Sequence, residues 1–407
     1  MNKPCFIIYC LLVLLIPLRN IVLKIDNLFF IDIPYINTTN ILFLLLTLCA
    51  VIFKPAYQHK SYYRNKVDLP IIIYCIYFFI QIFANKLEYP SDLIILWKDR
   101  FLFPCLLYFI SRSIITSKKE VFTILGIMVI ANIYMSTYFY RWIRWLNIDT
   151  FVDKIKKVNG TFGDIGGSNE WAAFFSTYFF IYLSLLSYLR GKIKRFIEVV
   201  NVGNILVLLF TFSRGSYLAF VVGNMWYGLM QRKYKILLAI LTVALFYNAV
   251  LPRPVIERIQ MTFQENESNT LQDKDVISRL NMWNRVIEDF PKSPVFGFGL
   301  HTFRYAHFQN PHNQYLHFLY QGGILGLGLF VWLLIAVFQD SRHLYKTTTD
   351  PFAKALGLGM CAAIISLAVA NVFGDRWTYL PIIGYFWIIN GIISSFNQGK
   401  LVIETSE

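Results

Sequence analysis

The chain has 407 residues, of which 56% are hydrophobic and 15% charged, with a formal net charge of +14. A soluble domain carries roughly 25% charged residues, and the deficit here is gathered into apolar runs of spanning length, which excludes an ordinary soluble fold. The basic excess does not call for nucleic acid, because cytoplasmic loops of membrane proteins are rich in Lys and Arg.

Apolar runs near residues 5–23, 38–54, 69–85, 99–116, 121–140 and 171–189 predict the first half of a helix bundle. Runs near 195–212, 215–231, 235–251, 319–339, 354–374 and 378–396 bring the expected total to about twelve transmembrane helices. They lack the short alternation of a barrel, so the fold class is an all-α polytopic membrane protein. The apolar N-terminus has no small-x-small cleavage site and is read as a retained first helix. Six cysteines (Cys5, Cys10, Cys49, Cys75, Cys105, Cys361) fall inside apolar runs, which predicts packing residues rather than a disulfide framework or a thiolate zinc site.

Basic residues mark every second connection: Lys54, Lys60, Arg64 and Lys66; Arg112, Lys118 and Lys119; Arg190, Lys192, Lys194 and Arg195; Arg232, Lys233 and Lys235. Arg342, Lys346 and Lys354 continue the series, and the opposite connections hold acids such as Asp26, Asp32, Glu88 and Asp92. The positive-inside rule then puts both termini in the cytoplasm of a bacterial-type inner membrane. Two far-side segments stand out. One joins the runs ending near 140 and starting near 171, with Arg141, Arg144, Lys154, Lys156 and Lys157; the other is a long excursion over about 252–318. The chain thus divides into membrane helices at 1–251, a periplasmic loop at 252–318, and membrane helices with a cytoplasmic tail at 319–407. Within the loop, Ile277, Leu280, Trp283, Val286, Ile287 and Phe290 recur at helical spacing and predict an amphipathic helix. Pro291, Pro294, Gly297 and Gly299 end it in a turn.

Three groups of residues carry candidate chemistry. Arg214 lies between two runs with almost no loop, on the far side and so against the positive-inside trend. Its guanidinium, beside Gly215 and the hydroxyls of Thr211, Ser213 and Ser216, suits an anionic oxygen; snorkelling to headgroups is the alternative. Arg279 and Arg285 sit on the predicted loop helix, six residues apart and off one line, so they need not share a role. Solvated charge on an amphipathic helix is the alternative for each. Four histidines (His301, His307, His312, His317) precede a membrane run without metal-site spacing. One titratable base among aromatics fits them better, and His312, next to Asn313 and just ahead of the run, is the best placed.

These stretches together resemble the O-antigen ligase family, which includes lipopolysaccharide O-antigen ligases and the related O-antigen polymerases. The matching text is Thr211-Phe212-Ser213-Arg214-Gly215-Ser216, Ser278-Arg279-Leu280-Asn281-Met282-Trp283 and Pro294-Val295-Phe296-Gly297-Phe298-Gly299. It continues with His312-Asn313-Gln314-Tyr315-Leu316 and Gly322-Gly323-Ile324-Leu325-Gly326-Leu327, and upstream with Gly166-Gly167-Ser168-Asn169-Glu170-Trp171-Ala172. The resemblance covers roughly residues 160–340, the twelve-span plan and the long loop, and rests on the order and placement of motifs that are individually short.

The resemblance implies a GT-C-like glycosyltransferase that moves an O-antigen-type glycan from undecaprenyl diphosphate to lipid A-core on the periplasmic face. It implies that Arg214 and Arg279 bind the diphosphate and that His312 assists the acceptor hydroxyl, with inversion at the anomeric carbon. Asn313, Arg285 and Tyr315 are candidate acceptor or sugar contacts. No cofactor is expected. The spacing of Asp273 and Asp275 fits a divalent metal, but acids just ahead of a helix also cap it, and metal-independent transfer by two arginines is the preferred reading. A polymerase of the same family, using polyprenyl-linked acceptors, is the nearest alternative. A lipid-linked glycan transporter fits less well, because the notable charges lie at helix ends and in loops.

Overall fold

The computed structural model describes residues 3–29, 37–52, 65–87, 89–143, 160–162, 167–261 and 274–401. Asp32, Lys54, Lys60, Arg64, Glu88, Arg144, Lys154, Lys156, Lys157, Gly166 and Asp273, singled out above, lie outside them, and the side chain of Asp275 is not described. Among the described residues there are helices and no strands.

The first apolar run is two helices, α1 (Lys3–Leu15) and α2 (Arg19–Leu28), bent by 116°. Pro17 lies at the bend, where a residue without an N–H cannot continue the helical ladder, so the expected single helix over 5–23 is corrected to a broken pair. There follow α3 (Thr38–Ile52), α4 (Asp68–Ala84) and α5 (Pro90–Trp97). A π-helical turn, Lys98–Leu102, then leads into α6 (Phe103–Ile114). The next helices are α7 (Lys118–Ile143), α8 (Ser168–Leu185), α9 (Gly191–Phe210), α10 (Arg214–Met230) and α11 (Tyr234–Leu245). A short α12 (Tyr247–Val250) ends the apolar run 235–251, and the long excursion carries α13 (Arg253–Gln260), α14 (Lys274–Asp289) and α15 (Thr302–His307). The chain closes with α16 (Gln314–Thr347), α17 (Pro351–Ala370) and α18 (Leu380–Asn397).

Lys118–Arg141, Gln314–Thr347, Pro351–Phe373 and Leu380–Asn397 are long and apolar enough to cross a membrane, and the bent α1–α2 pair makes a fifth candidate. The other predicted runs also fall on helices; Thr38–Cys49, Asp68–Ala84 and Tyr234–Leu245 among them are apolar but shorter. At the centre, α17 packs on α8, α10 and α16, while α18 packs on α6. Leu238, Leu241 and Leu245 on α11 stay exposed, as apolar side chains facing lipid rather than water do.

The predicted loop helix forms as α14, but the face it buries differs from the expected stripe. Met282 and Val286 are enclosed with Phe303 and Tyr320, whereas Ile277, Leu280 and Ile287 remain exposed. The rotation follows from what α14 rests on: the Trp283 indole donates to the Pro311 carbonyl at 2.8 Å, which turns the Met282–Val286 side toward α15 and α16.

The glycine-rich motifs meet in one joint. α16 breaks at Gly323 (φ 60, ψ −161), and the segment 294–300 lies across the break. Phe298 N–H donates to Tyr320 at 2.9 Å, Gly299 N–H to Gln321 at 3.0 Å, and Ile324 N–H to Pro294 at 2.9 Å. A Cβ on Gly323 would come within 2.3 Å of the Val295 carbonyl, and one on Gly297 within 2.5 Å of the Gln321 carbonyl carbon. The two backbones approach this closely only because neither residue has a side chain.

Candidate functional site

The turn between α9 and α10 places the first arginine. Phe212 takes a left-handed conformation (φ 54), ending α9, and Ser213 is the N-cap residue of α10, whose first residue is Arg214. A bulky residue in that conformation costs about 1–3 kcal/mol. Burial of Phe212 against Val255 of α13 offsets part of this and pins α13 to the turn. Arg258, one turn beyond Val255, is thereby brought to the same place.

The second arginine and the histidine come from the excursion. Arg279 and Trp283 are four residues apart and share one face of α14. The Trp283 bond to Pro311 fixes the residue preceding His312 relative to Arg279. His312 itself is left-handed (φ 50). Asn313 caps α16, its side-chain oxygen accepting from the N–H groups of Tyr315 (3.0 Å) and Leu316 (3.2 Å).

A third wall comes from the start of α8 and the connection between α17 and α18. Glu170 accepts from the Gly167 N–H at 2.7 Å with one carboxylate oxygen and pairs with Arg376 through the other. Together these residues enclose a cavity of about 310 Å³ lined by Arg214, Arg258, Arg279, Arg376, His312 and Glu170, with Ser213, Ser216 and Ser278 between them. Among the described residues four guanidiniums and one carboxylate line it, and the N-termini of α8 and α10 open on the same space. Such a site attracts a multiply charged oxyanion.

His312 is accessible from the cavity, yet burial around it lowers its imidazole pKa below the ordinary 6.5. Asp375 pulls in the opposite sense, while Arg279 and Arg376 push it further down. The imidazole is therefore neutral at pH 7 and able to accept a proton. Behind it, Asp375 meets His317 Nδ1 at 3.4 Å, and both are buried. Burial works against the Asp375 carboxylate, but His317, His312 and Arg376 hold it ionised, below the usual carboxylate range.

The structure thus brings Arg214, Arg279 and His312 to one cavity, and it takes three other candidates elsewhere. Asn313 is occupied by its capping role, the Tyr315 hydroxyl donates to the Ala368 carbonyl at 2.8 Å, and Arg285 is exposed on α14 beside His307 (3.5 Å). His312 and His317 both act on Asp375, and His317 lies close enough to His301 to lower its pKa. His307 pairs with Asp289 at 3.3 Å, His317 with Asp375, and His301 stacks edge-on with Tyr305. Among the described residues no group of three or more His, Cys, Asp or Glu side chains is arranged to hold a metal. Arg258, Glu170 and Arg376 were not singled out by their chemistry. Arg376 had a detectable signal, since like Arg214 it is a basic residue in a short connection between two apolar runs.

Residues 199–331 match the family described as O-antigen ligase. The match spans 133 of the 407 residues and supports the O-antigen ligase family for this chain. The matched segment runs from α9 into α16 and supplies Arg214, Arg258, Arg279 and His312, whereas Glu170 and Arg376 come from outside it. The match and the apolar helices together support a multi-pass membrane protein that acts on lipid-linked glycans in general. No curated protein matches the chain.

Proposed function

We propose that the protein is an inner-membrane glycosyltransferase of about twelve spans that moves an O-antigen-type glycan from undecaprenyl diphosphate to lipid A-core. Its termini face the cytoplasm, and residues 252–318 form a periplasmic loop over the active site. The observation that carries this is the gathering of Arg214, Arg279 and His312 around one arginine-lined cavity. The donor diphosphate sits among the guanidiniums, which stabilise the charge that grows on it as the glycosyl bond breaks. His312 takes the proton of the acceptor hydroxyl, whose oxygen bonds to the anomeric carbon as the bond to the phosphate oxygen opens. Undecaprenyl diphosphate leaves, and approach from the face opposite it inverts the anomeric centre. Arginines supply the charge stabilisation that a divalent ion gives other transferases, and Glu170, the one carboxylate lining the cavity among the described residues, is engaged by Arg376.

The test is transfer by the purified protein in detergent with EDTA, offered a polyprenyl-diphosphate glycan with and without lipid A-core. Modification of lipid A-core that is lost in Arg214→Ala and His312→Ala supports a metal-independent ligase. Elongation of the donor glycan without lipid A-core modification makes the enzyme a polymerase, and activity only on adding a divalent cation overturns metal independence.

A further inference from the structure

A second cavity, of about 360 Å³, lies on the other side of the connection between α17 and α18. Phe373 and Arg376 of that connection line the first cavity, and Thr378 and Tyr379 line the second, so a few residues form a shared wall. The opposite sides of the second cavity come from Arg19, just past the Pro17 bend, from Asn37 and Asn40 at the start of α3, and from Asp92, Asp99 and Arg100. Two of these, Asp99 and Arg100, sit in the π-helical turn. Such single turns are rare and gather at functional sites, because the widened turn re-aims side chains that an α-helix would spread apart.

The two cavities differ in charge. Among the described residues, four guanidiniums and one carboxylate line the first; Arg19, Arg100, Asp92 and Asp99 line the second, where Asp99 also pairs with Lys98 at 3.3 Å. A balanced set of carboxylates, guanidiniums and amides does not select an anion. It offers acceptors and donors side by side, the pattern that pairs with hydroxyl groups in quantity. Ile95, Leu96 and Leu380 supply apolar surface for the C–H faces between such hydroxyls. The volume lies in the range of about 300–1,000 Å³ typical of small-ligand pockets.

We propose that this second cavity is a neutral-saccharide site that holds part of the acceptor glycan, whose reacting hydroxyl lies at His312 in the first. The proposal rests on the transferase reading of the first cavity, which the diphosphate-linked donor fills by charge. A two-substrate transfer needs a second polar pocket beside the first, and this one has the chemistry of a sugar and not of a phosphate.

Binding is read directly, without turnover, by saturation-transfer NMR in a detergent that has no sugar head. The probe is phosphate-free core oligosaccharide, and each variant is first checked for an unchanged melting curve. Asp92→Asn and the cavity-filling Ile95→Trp are expected to weaken binding about tenfold or more, and Arg214→Ala to leave it unchanged. Equal binding by wild type and Ile95→Trp, loss in Arg214→Ala, or no binding by wild type would each overturn the proposal. Saccharide binding that persists in a protein showing no glycan transfer would retain the site and remove the transferase reading alone.

Discussion

Glu170 and Arg376, 206 residues apart in the chain, form an ion pair inside the arginine-lined cavity. Their side chains are only 14% and 6% exposed. The pair ties the start of α8 to the connection between α17 and α18, in a space that Arg214, Arg258 and Arg279 also line. A buried pair of this kind adds little net stability, but removing one member strands the other charge at a cost of about 3–5 kcal/mol. Arg376→Ala and Glu170→Ala are each expected to lower the thermal unfolding midpoint clearly. Midpoints equal to wild type would show that water already reaches the pair.

The arginines are expected to act on the transition state more than on the ground state. Arg214→Ala and Arg279→Ala should each lower turnover by about 10²–10³-fold, the loss typical of removing one oxyanion donor. Lysine at either position keeps the charge but not the planar fork, and should recover part of the rate. Steady-state kinetics checks this, and a rise in KM with unchanged kcat would assign the residue to binding alone.

The rate should report the neutral form of His312. Its pKa is lowered by burial and then by Arg279 and Arg376, against the pull of Asp375, so protonation begins only below the ordinary 6.5. Activity is expected to be flat above pH 6.5 and to fall as pH drops through the lowered pKa. In His312→Gln the residual rate, about 10²–10⁴-fold lower, should lose that acid limb. An acid limb that persists in the variant would place the base elsewhere.

Stability should carry a second pH dependence from His301. Burial, then Arg100, His317 and Arg304, push its imidazole down to about 3. The unfolded chain binds a proton near 6.5 that the folded one refuses, so this contribution is full above 6.5 and is lost as pH falls from 6.5 toward 3. The unfolding midpoint of wild type should drop across that window more steeply than that of His301→Gln.

The helical character and the apolar runs were legible because spanning helices leave long uninterrupted signals, and Pro17 also announced the break that the run-length reading passed over. Arg214, at a helix start, Arg279, on a loop helix, and His312, just ahead of a helix, were legible as candidates, and the fold brings them to one cavity. Their partners were not legible. Glu170 looks like a residue of a helix start, which it is, and only the fold shows that its other oxygen meets Arg376. Arg258 reaches the cavity because Val255 packs on Phe212, a contact that no local pattern encodes. Asn313, a candidate acceptor or sugar contact, also carries one of the strongest cap signals, an Asn directly before a helix, and its side chain caps α16.

Trp283 offers a way to move His312 without touching it. Its indole bond to Pro311 is worth about 1 kcal/mol by itself, so Trp283→Phe should leave the protein folded. The peptide next to His312 would lose its tether to the helix that carries Arg279. A fall in kcat larger than the loss of stability is expected. Equal kcat in Trp283→Phe and wild type would show that the left-handed turn at His312 holds its own geometry.

The joint between Gly297 and Gly323 sets the last expectation. Gly323, at φ 60 and ψ −161, occupies a region of backbone space open essentially to glycine alone, which costs another residue about 1–3 kcal/mol. A Cβ there would also meet the Val295 carbonyl carbon at 2.3 Å, backbone that hydrogen bonds hold against α16. Gly323→Ala should therefore straighten α16 or expel the segment 294–300, with a large loss in both unfolding midpoint and transfer rate. Gly126→Ala is the matched control. It lies within α7 with nothing inside 4 Å of its added Cβ, and should raise stability by about 0.4–1 kcal/mol. Since Gln314 begins α16 two residues after His312, loss of activity in Gly323→Ala with an unchanged midpoint would mean that the bend aims the histidine rather than holding the fold together.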